Sequence, residues 1–113
     1  MPKVTAVPGA QVPAGLPDNL PWEKGAAILQ NFTATDPATG NVQATRVYQS
    51  AKTPDDNFTV YQKYLKDNGW TVSSSINQPN IKNLSAAKAS AHLDITITKT
   101  PDNKVTVNVS FVD

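Results

Sequence analysis

The stretch from Ala87 to Phe111, AKASAHLDITITKTPDNKVTVNVSF, decides the fold. Polar and apolar residues alternate on both sides of residues 100–104, whose composition suits a type I turn followed by Asn103 in the left-handed conformation. The resulting register gives three apolar pairs on one face: Ile97 with Val107, Ile95 with Val109 and Leu93 with Phe111. The sequence therefore predicts a hairpin with one buried and one polar face. Its first strand is expected over 87–98, after a polar loop over 77–83.

A helix is predicted upstream of this hairpin. Thr53 is a suitable N-cap with proline after it, and apolar residues recur at helical spacing until Asn68 and Gly69 end the helix. Trp70 would then contact Leu65, as in a Schellman cap. Trp70 also begins an alternating run to Ile76, which predicts a strand with Trp70 on its core side. The tryptophan is therefore interpreted first as a structural anchor.

A second hairpin is predicted before the helix, with strands over 26–35 and 41–50 and a loop over 36–40 rich in turn-forming residues. In this register Thr35 pairs with Asn41. The residues expected to share one buried face are Ile28, Phe32, Ala34, Val42, Ala44 and Tyr48, with Phe32 opposite Ala44 and Ile28 opposite Tyr48.

The predicted order is ββαβββ, with about five strands and one helix. One amphipathic helix can cover one face of an antiparallel sheet, so the fold class is α+β, a two-layer sandwich. A chain of 113 residues suits a single domain. Residues 1–21 contain five of the nine prolines and are interpreted as a Pro-rich leader or tether before a domain over 22–113.

Four runs carry a resemblance to known proteins: LPDNLPWEKGAAIL, QATRVYQS, TPDDNFTVYQKYLKDNGWTV and LSAAKASAHLDITITKT. Together they resemble small uncharacterised domains of bacterial exported proteins and lipoproteins, with a Pro-rich start and a "Y…L…GW" helix end. The resemblance implies a two-layer fold and a periplasmic, cell-envelope or secreted location, and it implies no catalytic residues. A cytoplasmic location is the alternative, because the first twenty residues lack the apolar segment of a signal peptide.

Composition argues against several classes of function. The net charge is +1, with ten basic and nine acidic residues dispersed along the chain, so neither nucleic acid nor an anionic membrane surface is an expected partner. No apolar run reaches the roughly 18 to 20 residues of a membrane helix. The chain has no cysteine and a single histidine, and it has no glycine-rich phosphate loop, so no metal and no cofactor is predicted.

One arrangement invites a catalytic hypothesis. His92 and Asp94 lie on the same outer strand face, and the predicted register places Ser110 opposite Asp94, as a Ser-His-Asp triad would require. A flat, solvated sheet face offers neither a pocket nor an oxyanion site. No catalytic residue is therefore assigned, and the protein is not expected to be an enzyme.

The favoured hypothesis is a non-enzymatic binding or interaction module that uses its polar sheet face or an edge strand to hold a protein or polysaccharide partner. The candidate surface residues are His92, Asp94, Thr96, Thr98 and Thr106, the threonines forming a short ladder. The alternative is a small-ligand binder or enzyme with a pocket between helix and sheet, lined by Tyr61, Tyr64 and Trp70. A third hypothesis is a structural spacer.

Overall fold

The computed structural model describes residues 16, 20–23, 26–36 and 38–113, and the backbone of residues 3–6. It is an α+β fold in which one helix packs on one face of a single antiparallel sheet, as predicted. The elements are β1 (Lys3–Ala6), β2 (Ala27–Thr35), β3 (Val42–Ser50), α1 (Pro54–Asp67), β4 (Thr71–Asn77), β5 (Ile81–Lys88), β6 (Ala91–Lys99) and β7 (Val105–Val112). The strand order across the sheet is β1-β2-β3-β7-β6-β5-β4.

The hairpin of β6 and β7 has the predicted register. Its three central pairs are Ile97 with Val107, Ile95 with Val109 and Leu93 with Phe111. Asn103 has the expected positive φ of 66°, and the amide of Thr100 donates to the carbonyl of Lys104 at 2.8 Å. All six paired side chains are buried. This hairpin therefore forms the centre of the core.

The prediction of one strand over 87–98 after a polar loop over 77–83 is wrong. Strand β5 already begins at Ile81, and the chain reverses at Ala89 and Ser90 before β6 begins. Ala89 takes a φ of 53°, which alanine rarely adopts. Because the turn contains neither glycine nor asparagine and the alternating pattern runs straight through it, no local pattern indicates the reversal.

The predicted face of the first hairpin is also wrong in part. Thr35 pairs with Val42 instead of Asn41, which places Phe32 opposite Thr45. A bulge between Ile28 and Gln30 then restores the predicted pairing of Ile28 with Tyr48. Since a shift of one residue moves side chains to the other face, Phe32 and Ala34 lie on the outer face of the sheet.

The start of the chain contributes to the domain. Residues 3–6 pair antiparallel with β2 and form one edge of the sheet. Leu16 and Leu20, also within the predicted leader, are both 5% exposed and belong to the core. The other leader residues, including Pro13 and Pro17, lie outside the described residues.

Helix α1 begins and ends as its sequence predicts. The side chain of Thr53 accepts a hydrogen bond from the amide of Asp56 at 3.1 Å, and the amide of Trp70 donates to the carbonyl of Leu65 at 3.0 Å, as in a Schellman cap. The helix packs against β4, β5 and β6. On the core face of β3, Arg46 and Tyr48 also contact Trp22, which lies in residues 20–23, the segment that we call the N-terminal strap. Within the described part of the chain, no helix has both the length and the apolar character needed to cross a membrane.

Candidate functional site

Strand β4 forms the edge of the sheet opposite β1, and all seven of its residues are exposed. Its sequence, TVSSSIN, contains no charged residue and no proline, which are the usual means of protecting an edge. Val72 and Ile76 are 41% and 44% exposed. A bulge lies between Val72 and Ser74, and bulges protect an edge against regular pairing. Within the described part of the chain β4 pairs only with β5, so the backbone N–H and C=O groups on its outer side are available to another chain.

A groove of about 550 Å³ lies beside this edge, between β4 and α1. Its wall comes from helix residues at positions i, i+3, i+4 and i+7, which share one face of a helix. Its floor is apolar and comes from Trp70, directly before β4, and from Val72 within β4. The lining residues are Thr59, Gln62, Lys63, Lys66, Trp70 and Val72.

The helix wall of the groove carries two lysines. Lys63 forms an exposed ion pair with Asp67 at 2.8 Å, and the hydrogen bond and charge of Asp67 raise the pKa of Lys63. Lys66 forms no ion pair within the described part of the chain. The groove therefore combines an apolar floor with a positively charged wall.

The structure does not bring the three predicted pocket residues into one described pocket. Tyr64 and Trp70 are neighbours: burial raises the pKa of Tyr64, and a hydrogen bond from the indole of Trp70 partly offsets this. Tyr61 is fully buried and faces β3, where its hydroxyl lies 2.5 Å from that of Tyr48. Trp70 is half-buried and lines the outer groove. Its role as an anchor against Leu65 thus leaves part of the ring accessible.

A polar and aromatic cluster lies where the N-terminal strap, β3 and α1 meet. Arg46 is 8% exposed and its guanidinium lies 5.0 Å above the ring of Trp22. The Glu23 carboxylate accepts hydrogen bonds from the hydroxyl of Ser50 at 2.5 Å and from the amide of Ala51 at 2.7 Å. Arg46 lies an even number of residues from Val42, Ala44 and Tyr48 in β3, so it shares their face of the strand. The alternating pattern could therefore have shown that this arginine faces the core.

Burial governs the chemistry of this cluster. It raises the pKa of Tyr48 to about 12, raises the pKa of Tyr61 as well, and lowers the pKa of Arg46. Both tyrosine hydroxyls therefore stay protonated at neutral pH and act as hydrogen-bonding groups instead of general bases. The arrangement suits a structural contact between strap, sheet and helix.

The five candidate surface residues, His92, Asp94, Thr96, Thr98 and Thr106, share the outer face of the sheet, as their register predicts. Asp94 accepts hydrogen bonds from Ser85 at 2.6 Å and from Asn83 at 3.1 Å. Ser110 donates to Asn108 at 3.0 Å, and no described hydrogen bond joins His92, Asp94 and Ser110. Among the described residues, no group of three or more histidine, aspartate or glutamate side chains could hold a metal ion.

Comparison with known proteins gives a family. A family model described as START domain-like matches residues 29–110, which include α1, β3 to β6 and most of β2 and β7. No curated protein and no solved structure matches the chain. Because the family model covers well over half of the sequence, the chain belongs to the START domain-like family.

Proposed function

We propose that the protein is a non-enzymatic binding module that captures an extended segment of a partner protein by strand addition at β4. The observation that carries this proposal is the exposed, uncharged edge of β4 beside the groove under α1. An added strand would extend the antiparallel sheet and leave the buried core unchanged.

Strand addition divides affinity and selectivity between two parts of the site. Hydrogen bonds to the outer side of β4 bind the backbone of the partner whatever its sequence. Successive side chains of a strand point to opposite faces, so every second side chain of the partner would enter the groove. There it would meet Trp70 and Val72 below and the polar face of α1 beside it.

The two edges of the sheet differ in ways that favour β4. Strand β1 has four residues, whereas β4 has seven, and short edge strands are poor templates for pairing. The bulge in β4 interrupts regular pairing between Val72 and Ser74. It therefore limits the partner to a short segment and opposes uncontrolled growth of the sheet.

The test is a titration followed by amide NMR. The probe is an eight-residue peptide in which every second residue is threonine and the others alternate between leucine and glutamine. We expect shifts in the amides of 70–77 and a change in Trp70 fluorescence, because the ring lines the groove. Shifts confined to Tyr48 and Tyr61, or no shifts at all, would overturn the proposal.

A matched pair of variants tests the location. Val72 and Val112 are similarly exposed, at 41% and 43%, but only Val72 lines the groove. Because Val72→Lys removes apolar contact area of about 1 kcal/mol, it should weaken binding of the neutral peptide about fivefold. Val112→Lys should leave it unchanged. Equal effects of the two substitutions would place binding elsewhere.

A small-ligand binder with an interior pocket is the second candidate, and membership of the START domain-like family is the observation that favours it. The described interface between α1 and the sheet is filled, since Tyr61, Leu65, Ile95 and Ile97 are all 0% exposed. Amide NMR with a small apolar ligand in place of the peptide distinguishes the two, because an interior ligand would shift Tyr48 and Tyr61 first. A spacer would show neither response.

An envelope or secreted location is part of this proposal and is supported by the resemblance of the four sequence runs. Its test is the coding sequence upstream of residue 1. An export signal there would agree with the proposal, and its absence from a complete reading frame would contradict it.

A further inference from the structure

We infer that the groove beside β4 selects acidic partner segments, in which a carboxylate and an apolar side chain are two residues apart. This inference rests on the proposed strand addition and names the chemistry of the segment. It depends on the distances, the charges and the existing hydrogen bonds of the groove.

The length of the groove fits two partner side chains. Its wall runs from Thr59 to Lys66, which is about 10 Å along a helix axis. Side chains on one face of a strand are about 6.7 Å apart. Two successive side chains of the same face therefore fit: one over the apolar floor of Trp70 and Val72, and one beside the lysines.

The positive charge of the wall is not used to cap α1. The last carbonyls of the helix already accept other donors: the amide of Asn68 donates to Tyr64 and the amide of Trp70 donates to Leu65. The ammonium group of Lys88 donates to the carbonyl of Asn68 at 2.9 Å. Lys66 forms no ion pair within the described part of the chain and is directed to the groove. A carboxylate on the partner would form an ion pair with the ammonium group of Lys66.

The other charges near the groove support the same assignment. Asp67 is the nearest acid on the helix and is already paired with Lys63. The neighbouring strand β4 contributes no charge of either sign. A second copy of this chain added through its own β4 would place no carboxylate opposite Lys66. Charge complementarity therefore favours a different, acidic segment.

Three matched peptides test the inference. Each has eight residues, with threonine at every second position and leucine alternating with glutamate, glutamine or lysine at the others. Because an exposed ion pair contributes up to about 1 kcal/mol, we expect the glutamate peptide to bind roughly threefold to fivefold more tightly than the glutamine peptide. The lysine peptide should bind most weakly, and the differences should shrink as salt is added.

A charge variant with a matched control shows whether Lys66 carries the selectivity. Lys66→Gln should remove most of the preference for glutamate over glutamine, because the groove wall then lacks the charge of Lys66. Lys104→Gln changes the net charge equally but lies in the distant turn between β6 and β7, beside Asp102. It should leave the preference intact.

The outcomes separate this inference from the proposed function. If all three peptides shift the β4 amides with equal affinity, strand addition holds and selection by charge is wrong. If the glutamate preference persists unchanged in Lys66→Gln, a group other than Lys66 recognises the peptide carboxylate, and the inference is overturned. If no peptide shifts β4, the proposed function fails and the inference fails with it.

Discussion

The two halves of the core face are held by different kinds of contact. Under α1, the contact is apolar: Leu65 on the helix and Leu84, Leu93 and Ile95 on the sheet are all at most 1% exposed. Under the N-terminal strap, the contact is polar and aromatic: Arg46 and Tyr48 meet Trp22, and Glu23 binds the end of β3. The helix thus covers the sheet mainly by aliphatic burial, whereas the strap adds aromatic contacts and hydrogen bonds.

Each half also contains one buried cation near an aromatic ring. Lys82 is 3% exposed, lies 5.6 Å from the centre of Phe58 and pairs at 2.9 Å with the exposed carboxylate of Asp55. Its charge therefore reaches the protein surface. Arg46 lies over Trp22 inside the cluster, and burial lowers its pKa. Apolar burial tolerates small displacements, whereas hydrogen-bonded groups require their partners in place.

The largest expected effect is a loss of stability caused by a substitution in the helix-covered half. Leu65 is fully buried, so Leu65→Ala removes its apolar contacts and leaves a cavity. We expect the free energy of unfolding to fall by about 3 kcal/mol, measured by urea denaturation. Leu29→Ala is the matched control, because Leu29 is 53% exposed and should lose no more than about 0.5 kcal/mol. Equal losses would contradict the apolar assignment of this half.

Alkaline pH should lower the free energy of unfolding through the strap-covered half. The pKa of Tyr48 is raised by burial to about 12, above the unfolded value of about 10. The folded chain then keeps a proton that the unfolded chain releases, so this stability is complete below pH 10 and is lost as the pH rises towards 12. We expect a loss on the order of 2 kcal/mol over this range, with a further loss from Tyr61, whose pKa is also raised.

The measurement is urea denaturation at several pH values above neutrality. The double variant Tyr48→Phe with Tyr61→Phe removes both hydroxyls, so neither is left without its partner. Its stability should depend less on pH between 10 and 12 than that of the unmodified chain. Identical slopes would show that titration of the lysines or of Tyr64, which both chains retain, accounts for the loss.

The smallest expected effect is a gain in stability of the helix-covered half, from relief of backbone strain in the turn between β5 and β6. Ala89 joins the two strands under α1 with a φ of 53°, a conformation that costs alanine about 1 kcal/mol and glycine much less. Ala89→Gly should therefore raise the melting temperature by a few degrees. Ser90→Gly is the control and should give no gain, because Ser90 has no positive φ. A decrease with Ala89→Gly would mean that chain entropy outweighs the strain.

The difference between the hairpins shows where sequence patterns predict structure. Turn residues and alternation agreed for β6 and β7, and their register is as predicted. For β2 and β3, the turn pairs Thr35 with Val42 instead of Asn41. The bulge beside Leu29 then restores the predicted pairing of Ile28 with Tyr48. A bulge leaves no distinct local signal, because an extra exposed leucine looks like any strand residue. The faces of Phe32 and Ala34 could therefore not be derived.

Only part of the geometry of the candidate site could be predicted from the sequence. The sequence predicted an edge strand or polar face as the contact surface and identified Trp70 and its helix cap. It did not show that β4 would be the edge, because the additional strand β5 separates it from the central hairpin. It also did not show that Lys63 and Lys66 would line a groove with Trp70.

The sequence by itself determined the helix with both of its caps, the central hairpin and the α+β class. Each depends on residues close together in the chain: a capping side chain, a left-handed turn residue and a repeated alternation. Only the tertiary structure decided the strand order, the covering of Arg46 by Trp22 and the exposed edge beside α1. These depend on contacts between residues far apart in the chain, for which no local pattern exists.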